Sequence, residues 1–321
     1  MTGRPRLAII TGPTGSGKSE LALAIALAIG GEIINADSLA FYRGLDIGTA
    51  KPSLADRARV PHHLVDILDP PDDFSAADFM RLARPLAKGL WDRGRPPLVV
   101  GGTGLYLRSL LGGLFEGPGR DQAFRDQLRE MAGRGQDLHR LLSERDPVSA
   151  RRIRPSDPAR IVRALEVLHL TGEGISVHQD RHALSDRPFE ALTVVIDRPL
   201  DEMDQRIRER TRRMFELGLL REAGDLLAKG YRPDLKPLRS VGYRECLDVL
   251  AGRLGLQEAQ EQVFLRTRRL AKRQRTWFRG QAPQARWLYP DPGPVLDLVR
   301  GFLEGRPLGP EGAGGEGGHA L

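Results

Sequence analysis

The chain has 321 residues, 40% apolar and 28% charged, with a net charge of +7 and a single cysteine, Cys246. That length and mixture fit one large globular domain or two ordinary ones, and the lone cysteine excludes an internal disulfide and a cysteine-rich metal site. No apolar run approaches the roughly 20 residues of a membrane span and no secretory pattern precedes the first apolar run, so a reducing, cytoplasmic setting without a membrane partner is expected; the basic balance permits a polyanionic partner without requiring one.

Leu7-Ala8-Ile9-Ile10 is an apolar run of strand length, and Glu20 to Ala26 are good helix formers. Between them stands Gly12-Pro13-Thr14-Gly15-Ser16-Gly17-Lys18-Ser19, the spacing of a phosphate-binding loop. Glycines let the backbone curl until successive N–H groups face an anion, and the following helix adds the positive end of its dipole. Lys18 reaches the outer phosphates in such a loop, and the Ser19 hydroxyl is a Mg²⁺ ligand. The motif implies a bound di- or triphosphate and leaves hydrolysis open.

Glu32 to Asp37 reads as a second strand ending in a carboxylate, which makes a strand-helix-strand unit and predicts a parallel sheet. Ser38 to Pro52 has no period and many turn formers, and is expected to be a functional loop. Pro61 to Ile67 is expected to be a strand. Ser75 caps a helix reaching about Asp92, and Pro97 to Val100 is a strand running into the turn Gly101-Gly102-Thr103-Gly104, with a helix from near Leu105. Three strands thus end in polar or glycine-rich loops, where an open α/β sheet binds its ligand.

From about Gly117 charged helical patterns replace the apolar runs. Asp157-Pro158 starts a helix that carries Ile161, Leu165 and Leu168 and stops before Gly172. Strand character returns at Leu192 to Asp197, then a basic helix from Leu200 to Leu217, a turn at Arg239 to Arg244 and a helix to Leu254. Gln257 to Arg279 repeats apolar pairs at seven-residue spacing, Val263 and Phe264, Leu270 and Ala271, Trp277 and Phe278. Arg268, Lys272, Arg275 and Arg279 are expected on another face, either a solvated surface or a nucleic-acid contact. The expected organisation is therefore a P-loop NTPase-like α/β core, a parallel sheet flanked by helices. Its first part is 1–117, an inserted mainly helical domain is 118–188, the second part with basic helices is 189–305, and 306–321 is a disordered Gly-rich tail.

Asp37, at a strand end beside the phosphate loop, is the candidate general base or metal partner, ahead of Asp197, which Pro199 closely follows. His62 and His63 alternate faces on a strand and lack a third ligand, so structural roles are expected of them. Thr103 is a candidate substrate contact. Two classes remain at this point: a kinase holding ATP, and a transferase acting on nucleic acid. The arginine-rich late helix favours the second.

Six ordered blocks go further. Asp37 to Pro52, Pro61 to Ile67, Gly101 to Tyr106, Asp157 to Arg160, Val241 to Arg244 and Lys272 to Arg279 closely resemble the tRNA dimethylallyltransferases. The resemblance implies transfer of a dimethylallyl group from dimethylallyl diphosphate to N6 of the adenine 3′ to the tRNA anticodon, with the phosphate loop holding a diphosphate and Mg²⁺. It makes Asp37 the base, Thr103 its neighbour, and Lys18 with Arg210 the groups on the leaving diphosphate. It places tRNA contacts on Asp37, Ser38, Leu39, Ala40 and Thr103, on Arg125, on Ala159, Arg160, Ile161, Val162 and Arg163, on Arg239, Ser240, Val241, Gly242, Tyr243 and Arg244, and on Lys272, Arg273, Gln274, Arg275, Trp277 and Arg279. Many members have Gln where this chain has Ala159, and the zinc-finger extension of eukaryotic members is not expected here. The insertion is expected to clamp the anticodon stem-loop, and the protein to be a monomer.

Overall fold

β1 (Arg6–Thr11) is buried from Leu7 onward and leads through the glycine loop into α1 (Lys18–Ile29). The computed structural model from which this follows describes residues 3–115, 117–182 and 186–308. Then come β2 (Glu32–Asn35), the short α2 (Leu54–Arg59), β3 (His62–His63), α3 (Ala76–Asp92), β4 (Pro97–Gly101) and α4 (Gly104–Gly112). Ser75 and Asp78 form a reciprocal cap at the start of α3, which satisfies two otherwise orphaned N–H groups. The central segment supplies α5 (Gln122–Gly133), α6 (Leu138–Arg145), α7 (Pro147–Arg152), α8 (Pro158–Thr171) and α9 (Ile175–His182). β5 (Glu190–Ile196) is followed by α10 (Leu200–Glu216), α11 (Leu219–Ala228), a 3₁₀ turn at Pro237–Arg239, α12 (Tyr243–Leu250), α13 (Leu256–Gln281), β6 (Arg286–Leu288) and α14 (Pro292–Leu303).

The first compact unit comprises 1–110 and 188–321, the second 111–187. The second begins earlier than the composition shift at Gly117 implies, because Phe115 already packs on its core with Leu128, Leu142, Ile161 and Leu165. All five helices α5 to α9 lie in it. The expected disordered tail is described only to residue 308; from 309 it lies outside the described residues.

In the first unit all six strands are parallel, in the order β3-β2-β4-β1-β5-β6. β1 sits between β4 and β5 with Thr11 level with Gly101 and Val195, so the loops after three strands open at one height. α1 and α14 cover one face through Leu21, Ile25, Val295, Val299 and Phe302. A second cluster joins Tyr42 and Leu45 to Leu219, Leu226, Tyr243 and Cys246. The Cys246 thiol is buried, and burial, with Glu245 and Glu222 nearby, pushes it up to about 12.

The strand expected over Pro61 to Ile67 is cut to two residues. Leu64 and Asp66 take positive φ, 58° and 57°, and the chain leaves the sheet to bond the loop instead, Ile67 N–H donating to Phe41 O at 2.8 Å. Asp66 accepts from Lys51 and Arg57, each at 2.6 Å, which compensates the unusual backbone. The helix expected to reach Leu254 stops at Leu250, and α13 runs from Leu256 to Gln281.

Candidate active site

The glycine loop is shaped by conformations that other residues avoid. Gly12, Gly15 and Gly17 have φ of +145°, +86° and +89°, and a Cβ on Gly12 would lie 2.3 Å from Ile196 O. Two arginines after β5 brace the loop's carbonyls: Arg198 Nε donates to Ser16 O at 3.1 Å and Arg206 Nε to Gly15 O at 3.2 Å. Because the peptide is planar and trans, the Gly17 N–H then points away from Arg198. Ser16 is buried and its hydroxyl has no hydrogen-bond partner among the described residues. These features leave N–H and O–H donors for an anion, as the motif implies.

Lys18 opens α1, its Nζ 3.3 Å from Pro13 O. Burial lowers its pKa from 10.5 to about 8; Asp37 opposes the shift and Arg210 adds to it. Arg210, from α10, donates to Thr14 Oγ1 at 3.3 Å and Thr49 O at 3.4 Å, and burial lowers its pKa while Asp37 raises it. One carboxylate thus faces two cations at the loop.

Asp37 is held by its own turn. Asn35 Oδ1 accepts its N–H at 2.9 Å, Asn35 Nδ2 donates to its carbonyl at 3.1 Å, and Asp37 Oδ1 accepts the Leu39 N–H at 3.0 Å. Thr103 Oγ1 accepts the Ser38 N–H at 3.2 Å, and Thr103 N–H reaches Ala36 O at 3.4 Å. The structure therefore brings Lys18, Asp37, Thr103 and Arg210 to one end of the sheet. Sequence reasoning missed what steadies the loop after Asp37. Glu222 accepts the N–H groups of Asp46, Ile47 and Gly48 at 3.0, 2.8 and 3.2 Å, together with the Tyr243 hydroxyl.

Ser19 is exposed in the first turn of α1, and no cluster of three His, Cys, Asp or Glu suited to a metal occurs among the described residues. One exposed hydroxyl suits a hydrated Mg²⁺ whose other ligands are phosphate oxygens and water. His62 Nδ1 lies 2.7 Å from Val60 O and His63 Nε2 2.7 Å from Glu32, which are structural contacts.

The basic residues divide into free and committed ones. Arg239, Arg244, Arg269 and Arg273 are exposed around a cleft of about 200 Å³ and make no ion pair among the described residues; Lys272 is also exposed. Arg279 lies over the Trp287 ring at 5.5 Å, and Trp277 packs against Gly104. Several expected RNA contacts are engaged inside the protein. Tyr243 is fully buried against Gly48, Ala40 is 6% exposed, and Gly242 is buried with its N–H on Glu245. Arg275, expected on the exposed face of α13, pairs with Asp197 at 2.7 Å, and Gln274 bonds Thr14 and Gly102. Both stand between Ala271 and Phe278 in the apolar stripe, which was the available signal of an inward direction.

In the second unit Asp157 caps α8, with Pro158 at its first turn. Ala159 and Arg160 are exposed, Val162 is half-buried, and Ile161, 3% exposed, belongs to the core. Arg125 and Arg163 both donate to the buried Glu166 carboxylate. Burial pushes that carboxyl up, but these hydrogen bonds and the Asp121 N–H outweigh it and hold it at about 2. The two guanidiniums are thus committed to a structural charge cluster.

The family model described as IPP transferase matches residues 40–281. The chain is similar to a tRNA dimethylallyltransferase of Geobacter sulfurreducens, 48% identical over 290 residues, covering 89% of this chain and 93% of the relative. Among solved structures it resembles the full-length tRNA isopentenylpyrophosphate transferase of Bacillus halodurans, with TM-score 0.70, 37% identity and coverage of 94% and 97%. It also resembles a eukaryotic dimethylallyltransferase acting on tRNA, with TM-score 0.81, 26% identity and coverage of 95% and 81%.

Proposed function

The chain belongs to the IPP transferase family, whose matched relatives are tRNA dimethylallyltransferases, and from that premise we propose that it transfers a dimethylallyl group from dimethylallyl diphosphate to tRNA. The acceptor is N6 of the adenine 3′ to the anticodon, position 37. The observation that carries the reading is Asp37, a carboxylate placed among two cations beside a phosphate loop. Such a base would serve a kinase's hydroxyl acceptor as well, and it is the relatives, named for dimethylallyl transfer to tRNA, that favour an amine nucleophile.

The allylic C–O bond breaks as the new C–N bond forms, and the electron pair leaves with the diphosphate. Positive charge builds on the allyl carbon and negative charge on the leaving oxygens, which face the loop amides, Lys18 and Arg210. Asp37 accepts the proton that N6 sheds, and Thr103 keeps the Asp37 turn in place through Ser38. Ser19 Oγ would hold a Mg²⁺ that arrived with the substrate, and such an ion would neutralise diphosphate charge.

The adenine must leave its stack to reach the loop, which costs a few kcal/mol. Phosphate contacts at Arg239, Arg244, Lys272, Arg273 and Arg279 offset that cost in this reading, with Asp37 to Leu39 and Thr103 near the base and Ala159, Arg160 and Val162 offering further RNA contacts. The four proposed catalytic side chains meet within one chain, so the proposed site needs no second copy, and a tRNA substrate with a free thiol supports a cytoplasmic setting. The test is to offer tRNA with dimethylallyl diphosphate or with ATP and weigh the product nucleosides. Addition of one five-carbon unit to adenosine, only with the diphosphate, is expected; any other mass gain sinks the reading.

A further inference from the structure

The carboxamide of Gln274 hydrogen-bonds both the glycine loop and the turn after β4. Its Oε1 accepts the Thr14 N–H at 2.9 Å and its Nε2 donates to Gly102 O at 3.0 Å. The two partners fix which end is oxygen, since the reverse orientation would set donor against donor and acceptor against acceptor. Each partner leads on to the site. Thr14 also takes Arg210 on its hydroxyl, and Gly102 precedes Thr103, whose hydroxyl holds Ser38 next to Asp37. Glycine at 102 leaves the room this needs, because a Cβ there would stand 2.5 Å from Gln274 Nε2.

We propose that Gln274 is a positioning residue that ties the diphosphate loop to the Thr103 turn, and does not contact RNA. Its neighbours on α13 divide the work. Lys272 and Arg273 are exposed, while Gln274 and Arg275 turn inward to the loop and to Asp197. Successive helical residues diverge by about 100°, so adjacent positions serve the outside and the inside of the same site. With the carboxamide removed, Thr14 N–H and Gly102 O lose their shared partner and the loop amides lose their alignment on the leaving group. Negative charge on that group grows from the bound substrate to the transition state, so turnover falls together with affinity.

This proposal deepens the reading above and rests on it. The experiment measures inorganic pyrophosphate affinity, tRNA affinity and the kcat and KM for dimethylallyl diphosphate in Gln274→Ala, Gly102→Ala and the double variant. Alanine keeps the helix, and Gly102→Ala disturbs the same contact from the other side. Gln274→Ala is expected to weaken pyrophosphate binding about tenfold and to lower kcat, with tRNA affinity within about twofold of wild type. Gly102→Ala is expected to act alike, and the double variant to lose less than the product of the two single losses, because the added methyl then meets only Gly12 O at 3.3 Å and no carboxamide. Unchanged pyrophosphate affinity, an equal loss of tRNA affinity, or losses that multiply in the double variant would overturn the proposal. These ratios to wild type are read by binding, whereas failure of wild-type protein to transfer a five-carbon unit counts against the reaction itself.

Discussion

At the scale of single residues, the site separates holding the leaving group from accepting the proton. Asp37→Ala is expected to lower transfer at least about 100-fold while pyrophosphate affinity stays within about threefold, measured by titration alongside a prenylation assay. Undiminished transfer would remove Asp37 from the base role. Lys18 adds a pH dependence whose sign follows from its burial. With a pKa of about 8 in the free protein it is charged below that pH and increasingly neutral above it, and a bound diphosphate favours the charged form. Hence kcat/KM for dimethylallyl diphosphate is expected to fall as pH rises through about 8, and Lys18→Arg to flatten that limb even if its plateau is lower.

At the scale of elements, α13 is the helix to test. Lys272→Ala with Arg273→Ala is expected to weaken tRNA binding and to lower the slope of log affinity against log salt by about one to two, as loss of two phosphate contacts requires. An unchanged slope would make that face a solvated surface. Arg275 is left out because its charge is committed to Asp197. α8 carries a different charge problem. Glu166 has a folded pKa near 2 against an ordinary 4.5, so its contribution is complete above about 4.5 and is lost as pH falls towards 2. Glu166→Gln is expected to cost the second unit about 3 kcal/mol or more at neutral pH, read by denaturant unfolding, with the penalty shrinking in acid. Element positions were largely legible in the sequence: the loop motif, the Ser75 and Asp157 caps and the seven-residue seam each state their structure locally. Inward polar directions were less so. Arg275 reads as part of a basic face, and the resemblance puts Gln274 among the RNA contacts, until the helix is seen to set its stripe against the strand ends; Arg198, Arg206 and Glu222 act on residues far away in sequence.

At the scale of the whole molecule, the central strand β1 pairs with β5 across about 180 residues, Ile9 opposite Thr193. The second unit closes shorter loops, with its core drawn from 115 to 175. Because long-range pairing carries the larger loop-closure cost, amides of α8 such as Leu165 are expected to gain protection before Ile9 and Val194 in pulse-labelled hydrogen exchange. Simultaneous protection would place the sheet in the folding nucleus. The parallel sheet and an inserted helical unit were legible because βαβ spacing and a change of composition are sequence properties, whereas the start of that unit at residue 111 depended on where Phe115 finds its core. The single thiol has one more consequence. Cys246, buried and raised to about 12, is silent towards maleimides at neutral pH. A cysteine introduced at exposed Ala159 can therefore carry a fluorophore alone, with no native cysteine to remove, and report RNA arrival at α8 in stopped flow.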